Sequence, residues 1–468
     1  MRKHFFSLLM CVVLVLGGCK LAPKYNRPEA PMPGDWPKGA AYQEIKVPAG
    51  VPAAPDLKWE EFFADENLRK VIAAALNNNR DLKLAALNVE HARALYGIQR
   101  AELFPAVDIT GTGIRQRIPA ELSNSGSATT YQEDSINLGI SSWEIDFFGR
   151  IRSLKDRALE EYLATEQAGR SARLLIITAV ANAYLTLAAD RENLKLAEST
   201  LETQSNIYHL IKRRYEVGLA SELDLRRAQS QVDAARADVA RYTQQTALDE
   251  NALNLLVGSP APPELLPREL GKSAALKEIS AGASSDVLLR RPDILAAEHR
   301  LKAFNANIGA ARAAFFPRIA LTTSVGTASS SLSGLFKSGS YVWNFTPQIV
   351  APIFDARTWS AYDAAKVERK IALTEYEKAI QTAFREVADA LAVRGTVDQQ
   401  LAAQQSLVFA TSETYRLSNT RYMKGIDSYL SVLDAQRSLY TAQQGLITLR
   451  LARLTSQVTL YKVLGGGA

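Results

Sequence analysis

Residues able to do nucleophilic, acid–base or metal chemistry are few in this chain. His4, His91, His209 and His299 are its only histidines, and Cys11 and Cys19 its only cysteines. The last three histidines fall in helical patterns, where a structural or surface role is the expectation. No Gly-x-Ser-x-Gly turn is present to expose a catalytic serine. Gly271-Lys272-Ser273 ends like a phosphate-binding loop, but Leu266 stands where that loop needs its first glycine. Enzyme activity, a bound metal and an organic cofactor are therefore not expected.

One sulfur is left with a chemical task. The chain opens MRKHFFSLLMCVVLVLGGC, with basic Arg2 and Lys3, an apolar run, then Leu16-Gly17-Gly18-Cys19. This is a secretory signal, too short to make a good membrane-spanning helix. Its end resembles the bacterial lipobox, in which the signal is cut before the cysteine and the thiol is acylated. Cys11 lies inside the signal, so the mature chain has a single thiol and no possible internal disulfide. A covalent lipid on Cys19 is thus the one attached group expected. Lys20 follows, and the sorting rule known for bacterial lipoproteins sends chains without Asp at this place to the outer membrane.

The elements that must carry this lipid are globular in composition: 468 residues, 47% hydrophobic, mean hydropathy −0.10. The net charge of +6, from 55 basic and 49 acidic residues, is spread without a basic run, so no nucleic-acid partner is read.

Most of the chain is one unit written twice. Leu103-Phe104-Pro105 recurs as Phe315-Phe316-Pro317, and Asp81-Leu82 recurs at the same separation as Asp293-Ile294. A slightly shorter separation then holds from Asn137/Asn344 through Arg150/Arg357, Tyr215/Tyr422, Gln229/Gln436 and Gly258/Gly465. The change falls within polar, Ser- and Gly-rich sequence, which marks a loop tip of variable length. The boundaries read as follows: signal 1–18; acylated Pro-rich strap 19–56; first repeat 57–258, with strands over about 106–147 and a helical hairpin over about 150–257; linker 259–291; second repeat 292–468, with strands over about 318–354 and a hairpin over about 357–465.

Within each repeat the pattern predicts helix, strand, loop, strand and two long helices. Ile319, Leu321, Thr323 and Val325 alternate with polar or small residues. Ile136, Leu138 and Ile140 do the same before a slip in phase to Trp143, which predicts a bulge. Aromatics gather near strand ends, among them Tyr131, Phe147, Tyr341 and Phe354, as in membrane barrels. The helical pattern from Arg150 to Lys212 would be about 95 Å long. Val180, Leu187, Leu194, Leu201, Tyr208 and Tyr215 recur every seventh residue, matched by Val387, Arg394, Leu401, Val408, Tyr415 and Tyr422, which is a coiled-coil seam. The apolar run from Leu174 to Ala189 is shorter than the roughly 20 residues of a span. Its counterpart carries Arg385, Glu386 and Asp389, so it is read as core.

Four strands cannot close a barrel, and an open sheet in lipid leaves unpaired backbone groups. Three copies would give twelve strands, an even number within the range of outer-membrane barrels. The run RRPDILAAEHRLKAFNANIGAARAAFFPRIALT from Arg290, the lipobox, WEIDFFGRIR and two RYxxG bends resemble the outer membrane factor (TolC-like) family, in its acylated branch. The likeness covers essentially the whole chain. It implies a mixed α and β fold with an internal twofold repeat: a homotrimer whose twelve-stranded outer-membrane β-barrel, four strands per chain, continues as a long α-helical coiled-coil barrel in the periplasm. It also implies a periplasmic adaptor (membrane fusion) protein and an inner-membrane RND-type pump as partners, with outer-membrane lipid around the strands, and export of small molecules. A type I protein-secretion duct and a structural coiled-coil tether are the alternatives.

The repeated bends are Arg214-Tyr215-Glu216-Val217-Gly218 and Arg421-Tyr422-Met423-Lys424-Gly425. Each reads as a helix end with glycine at positive φ. The resemblance makes Arg214, Tyr215, Gly218, Arg421, Tyr422 and Gly425 the periplasmic tip that meets the adaptor. Only the second bend has an acid directly after its turn, Asp427. Two roles are open for it: a gate at the threefold axis together with Arg421 or Tyr415 of a neighbouring copy, or a cap on the returning helix.

Overall fold

The computed structural model describes residues 21–42, 53–124, 126–271, 276–280 and 284–467. The signal and Cys19 lie outside the described residues.

Asp65 starts helix α1 (Glu66–Asn78) by accepting a hydrogen bond from the Leu68 N–H at 2.8 Å, and Leu68, Val71, Ile72 and Ala75 line its buried face. Asn79 then accepts from the Leu82 N–H in the first turn of α2 (Arg80–Ala101), a helix with no buried residue in the single chain. Four antiparallel strands, β1 (Val107–Ile118), β2 (Thr129–Glu144), β3 (Arg318–Ser329) and β4 (Tyr341–Val350), form one sheet in the order β1-β2-β3-β4. Register shifts between Ile140 and Trp143, where Ser142 has φ 53°, so the phase slip in the sequence is a bulge in the sheet.

The remaining long helices are α3 (Arg150–Glu216), α4 (Glu222–Val257), α5 (Pro292–Ala313), α6 (Ala356–Met423) and α7 (Tyr429–Val463). The duplication is visible in their lengths: α3 and α6 have 67 and 68 residues, α4 and α7 have 36 and 35. Gly258 ends α4 in the left-handed region at φ 80°, and a Cβ there would meet the Asn78 carbonyl oxygen at 2.5 Å. Only glycine closes that corner.

The chain divides into two compact units, each drawing on both repeats. One comprises the described residues up to Glu29, Asn88–Glu166 and Ala296–Tyr376, and holds the sheet. Ile109, Leu138, Val325 and Trp343 face one another in register across its four strands, and all four are exposed. Thr110, Asn137, Gly326 and Val342, one residue away, point to the opposite side. An exposed apolar row backed by a mostly polar and small-residue face is the pattern of a sheet with lipid on one side and water on the other. The outer edges of β1 and β4 have no strand partner among the described residues.

The other unit comprises Ala30–Leu87, Gln167–Leu295 and Glu377–Ala468. Its core stacks Phe62 on Tyr461 with ring centroids 4.2 Å apart, while the Tyr461 hydroxyl donates to the Leu57 carbonyl at 2.8 Å. The helix α3 holds a stretch apolar enough by composition to cross a membrane. Ile177, Val180, Ala181, Tyr184, Leu185, Leu187 and Ala188 in it are no more than 2% exposed, so the run is protein core. The strap runs from Leu21 to Tyr42 without helix or strand. In this unit Trp36 stacks on Phe384, and the Gly34 carbonyl accepts from the Ser285 N–H at 2.9 Å.

Candidate functional site

The repeated Arg-Tyr-x-x-Gly motif is the end of a long helix, and its spacing has a backbone cause. At the end of α3 the Gly218 N–H donates to the Tyr215 carbonyl at 2.9 Å and the Leu219 N–H to the Arg214 carbonyl at 2.7 Å. At the end of α6 the Gly425 N–H donates to Tyr422 at 2.9 Å and the Ile426 N–H to Arg421 at 3.0 Å. These are two Schellman motifs. Gly218 and Gly425 sit at φ 76° and 73°, the left-handed conformation that a side chain opposes. Arginine and tyrosine thus occupy the same two positions of the last turn in both copies.

Ser221 caps the returning helix α4, accepting from the Asp224 N–H at 3.1 Å. Its counterpart Ser428 is the N-cap of α7 but makes no side-chain cap bond. Asp427 is therefore not the helix cap that the sequence allowed. Its carboxylate instead takes two hydrogen bonds from Arg421 of the same chain, Nε to Oδ2 at 2.6 Å and Nη2 to Oδ1 at 3.0 Å. A bidentate, charge-assisted pair outcompetes a single backbone N–H for the same oxygens. The hydrogen bonds from Arg421, then its charge, hold the Asp427 carboxyl below its usual range. Within one chain, Asp427 and Arg421 are thus joined.

Arg214, the counterpart of Arg421, has no carboxylate at the equivalent place, because Ala220 stands where the second copy has Asp427. It reaches across the pseudo-repeat instead: Nη1 donates to the Tyr422 hydroxyl at 3.2 Å, with the guanidinium 5.5 Å from that ring's centre. Tyr422 and Tyr415 pack around a small core of Ile211, Ala228, Tyr429, Val432 and Leu433. Burial raises the Tyr415 hydroxyl pKa, and burial followed by the neighbouring Tyr422, Tyr415 and Asp224 raises that of Tyr429. The Tyr429 hydroxyl has no hydrogen-bond partner among the described residues. Tyr215, by contrast, is exposed, although the seam residues before it are at least partly covered.

The structure places Tyr429 in this cluster without a sequence signal, since Glu222 holds the equivalent position in the first copy. It also exposes Val217, Leu219, Leu223, Met423, Ile426 and Leu430 at the two bends. Apolar residues packed this densely around a polar turn were the legible clue. Among the described residues no group of three or more His, Cys, Asp or Glu could hold a metal ion.

A sequence profile described as "Outer membrane efflux protein" matches residues 71–259 and 283–466, one segment in each repeat. The chain is 49% identical over 469 residues to the toluene efflux pump outer membrane protein TtgC of Pseudomonas putida, covering 100% of this chain and 96% of that protein. A crystal structure of a membrane protein from Pseudomonas aeruginosa superposes with a TM-score of 0.89 at 41% identity, covering 96% of this chain and 98% of that one. The open state of the MtrE outer membrane channel of Neisseria gonorrhoeae gives 0.86 at 37% identity, with 96% and 98% covered.

Proposed function

Because the chain belongs to the outer membrane efflux protein family, and is thus an outer-membrane channel component of an efflux pump and not an enzyme, we propose that three copies close into one tunnel for small toxic molecules. The observation that carries this reading is the four-stranded sheet with an exposed apolar face and two open edges. In lipid each unpaired backbone group costs several kcal/mol. Pairing β1 of one copy with β4 of the next removes both edges, and three copies make an even-numbered barrel of twelve strands.

Arg214, Tyr215, Gly218, Arg421, Tyr422 and Gly425 then form the periplasmic rim that docks a membrane-fusion adaptor, with Val217, Leu219, Met423 and Ile426 as its apolar contact surface. The Arg421–Asp427 pair and the tyrosines around Tyr415 act as the gate. An inner-membrane RND-type pump loads the tunnel, and acylation of Cys19 anchors its edge. One relative is named for toluene, and the cargo proposed for this chain is the same class of small apolar toxicants and drugs.

The test is assembly and flux together. Crosslinked, detergent-solubilised protein should run at three times the mature mass and conduct in planar bilayers. Expression in cells lacking their own efflux channels should restore toluene tolerance. A stable monomer with intact strand signal and no conductance would exclude the tunnel.

A further inference from the structure

The sheet-bearing unit contains a cavity of about 710 Å³ that no part of the channel reading uses. Its walls are the strap at Ala22–Tyr25, Asp156 to Glu160 on α3, and Lys302 to Ala306 on α5. One face of α5 builds the roof by gripping the strap. Arg312 donates to the Leu21 carbonyl at 3.2 Å, and Asn305 Nδ2 to the Pro23 carbonyl at 2.8 Å. Between them, a Cβ on Gly309 would meet the Ala22 N at 2.8 Å, so the strap lies directly on the helix. Further along, Glu298 is paired with Arg27 and Lys302.

Two groups in these walls have no partner among the described residues. Asn305 is 4% exposed, and its amide orientation is set because Nδ2 faces a carbonyl, an acceptor only. Its Oδ1 accepts nothing among the described residues. A buried carbonyl oxygen left unmatched costs about 1–3 kcal/mol, so it favours a ligand that brings a donor. Lys24 is exposed at the mouth and has no ion pair among the described residues. Asp156 and Glu160, also in the lining, stand one turn apart on α3, with Asp156 paired to Lys155 Nζ at 3.1 Å and Glu160 held by His299 Nδ1 at 2.6 Å. The cavity thus offers a cation for a phosphate, and a carbonyl oxygen with nearby carboxylates for an ammonium.

Depth points to the source of such a zwitterion. Phe315 packs on Trp359 and Tyr362 with centroids 4.8 and 5.9 Å apart, an aromatic cluster of the kind that marks a membrane interface. Tyr362 lies six residues into α6, and Asp156 lies equally far into its duplicate α3. The aromatic cluster therefore reaches the helical level at which the cavity begins. We propose that this cleft binds the phosphoethanolamine headgroup of a membrane lipid, its phosphate on Lys24 and its ammonium toward Asn305 Oδ1 and the α3 carboxylates.

The experiment titrates dihexanoyl phosphatidylethanolamine into the detergent-solubilised full-length protein and counts adducts by native mass spectrometry. Wild type should hold one lipid per chain, and Lys24→Arg should keep it. Lys24→Glu, at an exposed and unpaired site, should fold normally and bind about tenfold more weakly or worse. Dihexanoyl phosphatidylglycerol, with the same chains and phosphate but no ammonium, should show a similar loss. Equal binding by Lys24→Glu and wild type, or equal binding of the two lipids, would overturn the proposal. Free phosphoethanolamine binding as tightly as the lipid would overturn the lipid as source. None of these outcomes depends on the trimer conducting.

Discussion

Replacing Gly425 with alanine tests whether the left-handed turn holds the second hairpin end together. A Cβ there, as at Gly218, would meet nothing within 4 Å, so no clash contributes to the cost. What remains is the backbone penalty for an L-residue at φ 73°, about 1–2 kcal/mol. That is a factor of about 5–30 in the local opening equilibrium. Amide hydrogen exchange reads it directly, because the Ile426 N–H is protected by its 3.0 Å bond to the Arg421 carbonyl and is released when the turn opens. In Gly425→Ala the Ile426 amide should exchange about 5–30-fold faster, and in Gly218→Ala the Leu219 amide likewise. Gly425→Asn should lose much less, since asparagine tolerates this conformation. Gly97→Ala, inside α2 with open space and ordinary φ, should leave both tips unchanged. If Ile426 exchanges at the wild-type rate in Gly425→Ala, the bend does not depend on glycine and the explanation of the repeated motif fails.

Other perturbations address the lipid, the sheet and the charge pair. Cys19→Ser should abolish incorporation of labelled palmitate while the barrel still inserts, because strands rather than the acyl chain span the bilayer; persistent label would refute acylation at Cys19. Val325→Lys, in the exposed apolar row, should cost up to about 2–4 kcal/mol of membrane stability and reduce folded yield, whereas Asn137→Lys on the opposite face should be tolerated; equal yields would reverse the assignment of faces. Asp427→Asn should raise single-channel conductance with unchanged helix content. Since the folded pKa of Asp427 is depressed, the pair's contribution is present above the ordinary carboxylate pKa and is lost as pH falls through the lower, folded value. Wild-type conductance should therefore be flat from neutral pH down to about pH 4 and rise only in stronger acid. A rise near pH 6 would point to a different group.

Duplication made most of the architecture legible, because each copy tests the reading of the other. The apolar run in α3 reads like a membrane span until Arg385, Glu386 and Asp389 are set at the matching level of α6, and most of its side chains are buried. The bulge at Ser142 was readable for a related reason: a strand's period of two makes a single inserted residue visible as a change of phase. What the sequence could not disclose is competition between partners. Asp427 sits one residue before the N-cap and six after Arg421, and either partner suits a carboxylate; the choice depends on the turn bringing the guanidinium's two N–H groups alongside both oxygens. The same turn in the first copy has Ala220, so Arg214 finds a ring and a hydroxyl in the other copy's Tyr422. Two bends with one backbone geometry therefore carry different electrostatics. In the second the arginine's charge is met by a carboxylate, whereas in the first it meets only a π face and a neutral oxygen among the described residues. A trimer built from this chain would alternate a carboxylate-paired arginine with a ring-stacked one around its rim, and an adaptor docking there would meet two kinds of arginine despite the matching backbone.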